Sequence, residues 1–200
     1  MKSVTERVYL TDFILACLAY CLFVGSDSIV KYLGSDYSIV QIIFVNSWFA
    51  LIPIVLYTQT LNGCRKLKKA NFTVHFFRAL TMALALFFGY TGFYRLPMVT
   101  MYSIVFLIPL MITIGSVFFL GEVVRWKRFT AILIGFIGAI ISINPFGTEY
   151  NNYIFLALFC PIFASASYLI VRKYGLKENL FSFLIYGKIL MLVFTGIFAL

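Results

Sequence analysis

The chain has 200 residues, of which 62% are apolar, 19% aromatic and only 12% charged, and its formal net charge is +9. A soluble domain carries about 25% charged residues, so this composition excludes an ordinary soluble domain and is typical of a protein that crosses a membrane several times. The positive charge does not indicate nucleic-acid binding, because the basic residues lie in short loops between apolar runs and form no basic face.

Apolar runs recur along the chain, and most are long enough to cross a bilayer. At a rise of about 1.5 Å per residue, about 20 residues cross a hydrocarbon core of about 30 Å. The first run has the positive-then-apolar layout of a secretory signal but lacks a convincing small-residue cleavage site, so we expect an uncleaved helix. The sequence predicts an all-α polytopic membrane protein with about seven transmembrane helices, over residues 12–32, 38–57, 73–94, 98–120, 129–143, 153–171 and 180–200.

Basic residues are distributed unequally between the two sides that these spans define. If the amino terminus is cytoplasmic, all but three of the 16 Lys and Arg residues lie on the cytoplasmic side. The exceptions are Lys31 and Arg95 on the outside and Lys188 within the last span. Because cytoplasmic loops of membrane proteins are enriched in Lys and Arg, this predicts a multi-pass protein of the cell inner membrane with a cytoplasmic amino terminus.

Ionisable residues within or next to the spans are the first candidates for function, because charge is costly in a bilayer. Asp27 and Lys31 are four residues apart, share one helical face and are expected to pair, either as an external gate or as a structural pair that caps the helix. Arg78 enters the third span and is either a gate or substrate contact or an interfacial anchor. Lys188 is either functional or a side chain that reaches the membrane surface.

The fourth span ends in a charged junction and carries a proline near its middle. Glu122 lies beside Arg125 and Arg128, and we expect it to fix this junction by ion pairing or, alternatively, to contact a substrate. Pro109 removes one backbone hydrogen bond and is predicted to interrupt the helix, at the depth where transporters bind substrates. Pro161 is likewise expected to free one backbone carbonyl within the sixth span and to shape that helix.

Uncharged side chains supply a second group of candidates. Asn46 and Trp48 on the second span, and Tyr90 on the third, are predicted to line a cavity with hydrogen-bonding and stacking groups. Tyr94 lies nearer the helix end, where aromatic residues commonly form an interfacial belt.

Residues typical of catalysis are absent from the sequence. It has one histidine, His75, no paired intramembrane carboxylates and no phosphate-binding glycine loop, and its four cysteines lack the spacing of a zinc or redox site. We therefore expect no enzyme activity, no metal and no cofactor.

Several segments match one family of membrane carriers, and the junction between the fourth and fifth spans is the most specific of them. The matching segments are residues 26–34, 75–78, 97, 109–110, 119–122 and 126–138. With these segments the chain resembles the EamA-type permeases of the drug/metabolite transporter superfamily. Within that family it is similar to the S-adenosylmethionine uptake transporters of rickettsial bacteria.

This resemblance implies a fold of ten helices in two inverted five-helix repeats, with a central cavity that opens alternately to each side of the membrane. Residues 10–145 would form the first repeat, and residues 153–200 the first two helices of an incomplete second repeat. Asn46 stands where the family often has an arginine, which weakens an anion-binding role at that position.

The function that the resemblance implies is transport of a small metabolite across the inner membrane, with S-adenosylmethionine-like uptake or exchange as the finer expectation. The expected partners are the lipid bilayer, a small-molecule substrate, and either a second copy or a complementing carboxyl-terminal fragment, but no nucleic acid. Two alternatives remain: a truncated, non-transporting protein or a fragment that needs a separately encoded remainder, and a structural subunit.

Overall fold

The computed structural model describes residues 2–60, 71–123, 125–143, 152–175 and 180–199. The basic residues at positions 65, 66, 68, 69 and 177 lie outside these ranges, as does the side chain of Arg128. The described residues form eight α-helices: α1 Lys2–Leu33, α2 Ile39–Thr60, α3 Phe72–Arg95, α4 Met98–Val105, α5 Leu107–Leu120, α6 Trp126–Ile143, α7 Tyr153–Tyr174 and α8 Leu180–Ala199.

These helices confirm the prediction of an all-helical, multi-pass membrane protein. Within the described ranges, five stretches are long and apolar enough to cross a bilayer: Thr11–Leu33, Ile39–Gln59, Phe72–Arg95, Met98–Leu120 and Tyr153–Tyr174. Two shorter apolar stretches, Phe129–Gly138 and Ser182–Ile197, lie in α6 and α8. Together they correspond in order to the seven predicted spans, with α4 and α5 as two halves of the fourth.

The division between α4 and α5 follows from the proline predicted to interrupt the fourth span. Pro109 is the third residue of α5 and has no N–H to offer the carbonyl four residues earlier. That carbonyl belongs to Val105, the last residue of α4. The amide of Phe106 still donates to the Tyr102 carbonyl at 2.9 Å, so the helix ends after a completed turn. The side chain of Pro109 is exposed.

Helix α3 lies at the centre of the bundle and packs against α1, α7 and α8. Gly92 permits a close approach on this helix, because a Cβ there would lie 2.5 Å from Met101 Sδ of α4 and 3.2 Å from Ala157 Cβ of α7. Phe93, Leu96, Ile104 and Cys160 belong to the same buried cluster. The end of α3, the start of α4 and α7 therefore form one tightly packed unit.

Both ends of the fourth span have defined caps. Pro97 precedes α4, where its fixed φ suits a helix start. At the other end, Gly121 adopts a left-handed conformation with φ 67°. Its amide donates to the Val117 carbonyl, and the amide of Glu122 donates to the Ser116 carbonyl. Glycine adopts this left-handed conformation with little strain because it has no Cβ. The turn carries Glu122 away from the helix axis and towards α7.

Candidate functional site

A polar network joins α1 to the end of α3 and the start of α4. The Tyr102 hydroxyl donates to Asp27 Oδ2 at 3.0 Å, and Lys31 Nζ donates to the Leu96 carbonyl at 2.9 Å. We call these four residues the Asp27 network. Its two charged residues are half-buried, and each bonds to a different element. Among the described residues, Asp27 and Lys31 do not form the ion pair that the sequence predicts.

The position of Lys31 explains why that prediction was wrong. Leu96 is the C-cap of α3, directly after Arg95, and the carbonyls at the end of a helix lack intrahelical partners. The packing of α1 against α3 brings the Leu96 carbonyl to Lys31, and Lys31 bonds this carbonyl in place of the Asp27 carboxylate. Lys31 thus caps α3 instead of its own helix.

Tyr90 adjoins the Asp27 network. Its ring is only 6% exposed and packs with Val30, Ile42 and Met191, at the meeting point of α1, α2 and α8. Its hydroxyl lies within electrostatic range of Asp27. Three residues predicted separately from the sequence, Asp27, Lys31 and Tyr90, therefore lie in one region.

A second polar cluster lies nearer the start of α3, where Arg78 meets α8. Arg78 Nη1 donates to the Phe183 carbonyl, and the guanidinium carbon lies 5.5 Å from the centre of the Phe183 ring. Lys188 directly follows Gly187 on α8, and the Gly187 backbone lies against Arg78 Nη1, so the two basic residues are neighbours in the bundle. We call Arg78 and Lys188 the cationic pair.

Aromatic rings and a glycine lie on the Arg78 side of the cationic pair. His75 is 1% exposed, and its ring centre lies 4.7 Å from that of Phe183 and 5.3 Å from that of Tyr186. Gly187 makes room for the guanidinium, because a Cβ there would lie 2.5 Å from Arg78 Nη1. The cluster thus combines two cations, an aromatic wall and a backbone position without a side chain.

The two candidates on α2 face different surroundings. Asn46 borders a largely apolar cleft of about 790 Å³ between α1 and α2, together with Ser26 and Gln41. Trp48 is 57% exposed and borders a separate groove of about 270 Å³ formed by α2 alone. Residues two apart on a helix do not share a face, so these side chains do not line one cavity.

Glu122 forms an ion pair at the junction after α5, with Arg172 of α7 as its partner and not its sequence neighbour Arg125. Glu122 Oε1 lies 2.8 Å from Arg172 Nη2, and the two side chains are 35% and 49% exposed respectively. The partner is therefore on another helix and not within the junction, where the sequence predicts it. The ion pair ties the end of the fourth span to the end of α7.

More than half of the chain matches one known protein family. Residues 11–144 match the EamA-like transporter family. The chain belongs to the EamA-like transporter family. This confirms the family predicted from the short segments that end in residues 126–138.

Relatives of this EamA-family chain include named transporters. The S-adenosylmethionine uptake transporter of Rickettsia felis is 30% identical over 194 residues, covering 94% of this chain and 63% of the relative. The corresponding protein of Rickettsia conorii is 31% identical, covering 92% and 62% respectively. The riboflavin transporter of Vibrio cholerae is 25% identical, covering 87% and 59%. The chain therefore spans less than two thirds of the length of these relatives, and no solved structure matches it.

Sequence reasoning identified the charged members of both clusters but missed their neighbours. Tyr102, Phe183, Tyr186 and Gly187 were not predicted, and a single sequence offers no pattern that relates them to α1 or α3. Arg78 and Lys188 were predicted independently, and the packing of α3 on α8 brings them together. In the described ranges, no group of three or more His, Cys, Asp or Glu side chains is arranged to hold a metal ion.

Proposed function

We propose that this chain acts in an inner-membrane transporter that moves a small metabolite by alternating access, with an S-adenosylmethionine-like compound as the substrate. The observation that carries the proposal is the 30% identity, over 94% of the chain, with the Rickettsia felis S-adenosylmethionine uptake transporter. Rickettsia conorii supplies a second such relative at 31% identity.

The chemistry inside the bundle supports this proposal. Charged residues within membrane spans are rare and commonly mark a substrate pathway, and here Arg78 and Lys188 both lie within apolar helices. The proposed substrate carries a carboxylate, an ammonium group, a sulfonium group and an adenine ring. The two cations offer a contact for the carboxylate, and the aromatic side chains beside Arg78 offer contacts for the sulfonium group and the adenine ring.

The interrupted fourth span is a second support. Transporters commonly build their binding sites from discontinuous helices near the middle of the bilayer, where carbonyls freed from the helix become available. In this chain the interruption at Phe106 frees the carbonyl of Val105. We include this carbonyl in the proposed substrate pathway.

We further propose that residues 10–145 form one repeat, that residues 153–200 begin a second, and that the amino terminus is cytoplasmic. Val123 is suited to a test of orientation, because it is 89% exposed in the α5–α6 junction. An epitope tag inserted at Val123 should be reached by antibody only after the cells are permeabilised. Labelling of intact cells would reverse the proposed orientation.

Uptake of radiolabelled S-adenosylmethionine by bacterial cells that express the chain tests the substrate. We expect saturable uptake that unlabelled S-adenosylmethionine suppresses and riboflavin does not. Cells with an empty vector give the background, and labelled riboflavin tests the substrate named for the Vibrio cholerae relative.

A second arm of this experiment addresses the difference in length between the chain and its relatives. Here the chain is co-expressed with the carboxyl-terminal part of the Rickettsia felis relative that it does not cover. Uptake only in this arm would favour the alternative in which the chain needs a separately encoded remainder. No uptake in either arm would remove S-adenosylmethionine as the substrate.

A further inference from the structure

We infer that the cationic pair, Arg78 and Lys188, is a subsite that binds the carboxylate of the transported substrate. This inference rests on the proposed function, because it assigns one chemical group of an amino-acid-like substrate to one place in the bundle.

The first argument is the supply of hydrogen-bond donors. An arginine side chain has five N–H donors, and in the described ranges the Arg78 guanidinium has one acceptor, the Phe183 carbonyl. Its Nε is buried without a hydrogen-bond partner.

The second argument is uncompensated charge. Within the described parts of the chain, no carboxylate lies within ion-pairing distance of Arg78 or Lys188, and the titratable side chain that faces Arg78 from α7 is the phenol of Tyr168. Two neighbouring cations in an apolar bundle repel each other and lose hydration, so an anion placed between them is stabilised strongly.

The depth of the pair separates this site from an ordinary interfacial anchor. Arg78 is six residues from the start of α3 and Lys188 eight residues from the start of α8, which corresponds to about 9 and 12 Å of helix. An anchoring arginine would extend towards the membrane surface. The guanidinium instead bonds the Phe183 carbonyl of a neighbouring helix, which holds it against α8.

The third argument is shape. Gly187 lets Arg78 Nη1 lie directly against the α8 backbone, and the Phe183 ring lies against the guanidinium. A planar guanidinium held in this way presents its remaining N–H groups as a fork, which matches the two oxygens of a carboxylate. Lys188 adds a second, compact charge to the same anion.

Binding to the purified chain in phosphatidylcholine nanodiscs tests this assignment, with S-adenosylmethionine and its decarboxylated form as probes. We expect the decarboxylated form to bind about 10- to 100-fold more weakly, as for loss of a charge-assisted hydrogen bond. Arg78→Gln and Lys188→Gln should each weaken binding of S-adenosylmethionine and leave the decarboxylated form largely unaffected. Arg78→Lys should restore part of the difference, because it keeps the charge but not the fork.

Arg172→Gln is the matched control, because Arg172 is a half-exposed arginine already paired with Glu122. It should leave the ratio of the two affinities at the wild-type value. The assignment is overturned if Arg78→Gln and Lys188→Gln also keep that ratio. Thermal unfolding of each variant in the same nanodiscs identifies any that fail to fold, and Gly187→Ala then replaces them.

Two further arms distinguish binding of a substrate carboxylate from binding of a lipid phosphate, and failure of the subsite from failure of the proposed substrate. If adding phosphatidylglycerol to the nanodiscs abolishes the Arg78-dependent difference in affinity, a lipid phosphate occupies the pair and the substrate assignment is wrong.

If the wild-type chain binds neither probe, the proposed substrate fails. Thermal stabilisation of the chain by methionine is then compared with that by methioninol, which lacks the carboxylate. Stabilisation by methionine alone, lost in Arg78→Gln, would preserve the carboxylate subsite, and its absence in the wild type would overturn it.

Discussion

The Asp27 network and the cationic pair both place charge inside the bundle, but they differ in how that charge is satisfied. Asp27 accepts from Tyr102, and Lys31 donates to the carbonyl that ends α3. In the described parts of the chain, neither Arg78 nor Lys188 meets an acidic partner. A satisfied buried network stabilises one arrangement of helices, whereas an unsatisfied one favours a ligand. The difference suggests that one end of α3 holds the fold and the other receives substrate.

Tyr102→Phe offers the largest expected effect on stability and tests the first half of this comparison. It removes the 3.0 Å hydrogen bond to Asp27 and leaves the ring contact with Phe93, whose centroid is 5.1 Å away. Hydrogen bonds to charged groups contribute about 1.5–3 kcal/mol, so unfolding in detergent should show a loss of that order. The ratio of affinities for S-adenosylmethionine and its decarboxylated form should not change.

Asp27→Asn is the partner variant for a double-mutant cycle. If the bond accounts for the loss, Tyr102→Phe should have a smaller effect in the Asp27→Asn background than in the wild type. A changed affinity ratio with unchanged stability would instead assign Asp27 to the substrate and contradict the comparison.

Gly187→Ala tests the second half of the comparison, with an effect on binding and not on stability. A Cβ at this position would lie 2.5 Å from Arg78 Nη1, and the guanidinium, at the end of a flexible side chain, can move away. We expect the affinity ratio to fall by about tenfold, which corresponds to about 1.4 kcal/mol, with little change in the unfolding temperature.

Gly138→Ala is the control for that variant, because nothing lies within 4 Å of the Cβ it adds. Both its affinity ratio and its unfolding temperature should stay near the wild-type values. An unchanged ratio in Gly187→Ala would mean that the position of Arg78 does not matter for binding.

The sequence predicted the spans well because hydropathy and length alone decide them, and Pro109 marked the division of the fourth span because its chemistry is local. The predicted Asp27–Lys31 pair was wrong for a related reason. Spacing along one helix reports only the neighbours within that helix, and the acceptor that Lys31 uses, the Leu96 carbonyl, is 65 residues away.

Only part of the candidate site was predicted, because the sequence does not show which residues of different helices come together. Arg78 and Lys188 were recognisable one by one, because a basic residue in an apolar run is conspicuous. Their proximity depends on which faces of α3 and α8 meet, and Gly187 becomes informative only when Arg78 lies beside it. Trp48 shows the converse, because a residue type suited to a binding site lies on an exposed face.

Lys31→Met should cause a moderate loss of stability, because Lys31 is part of the Asp27 network at the end of α3. The variant keeps most of the apolar stem and loses the 2.9 Å bond to the Leu96 carbonyl. Cations at helix ends contribute about 0.3–1 kcal/mol, and we expect a loss of stability of that size in the unfolding assay. Lys31→Arg should retain most of the stability, and equal losses in the two variants would argue against capping of α3.

Glu122→Gln should have the smallest effect, and it asks whether the comparison extends to the end of the fourth span. Its partner Arg172 is 2.8 Å away, but the two side chains are 35% and 49% exposed, so water screens the pair. Exposed pairs contribute about 0–1 kcal/mol, and we expect a loss near the lower end in detergent, reduced further by salt. A loss larger than that of Tyr102→Phe, or a change in substrate affinity, would show that Glu122 does more than join two helix ends. Glu122 would then belong with the cationic pair, among the residues that affect substrate binding, and not with the residues that only stabilise the fold.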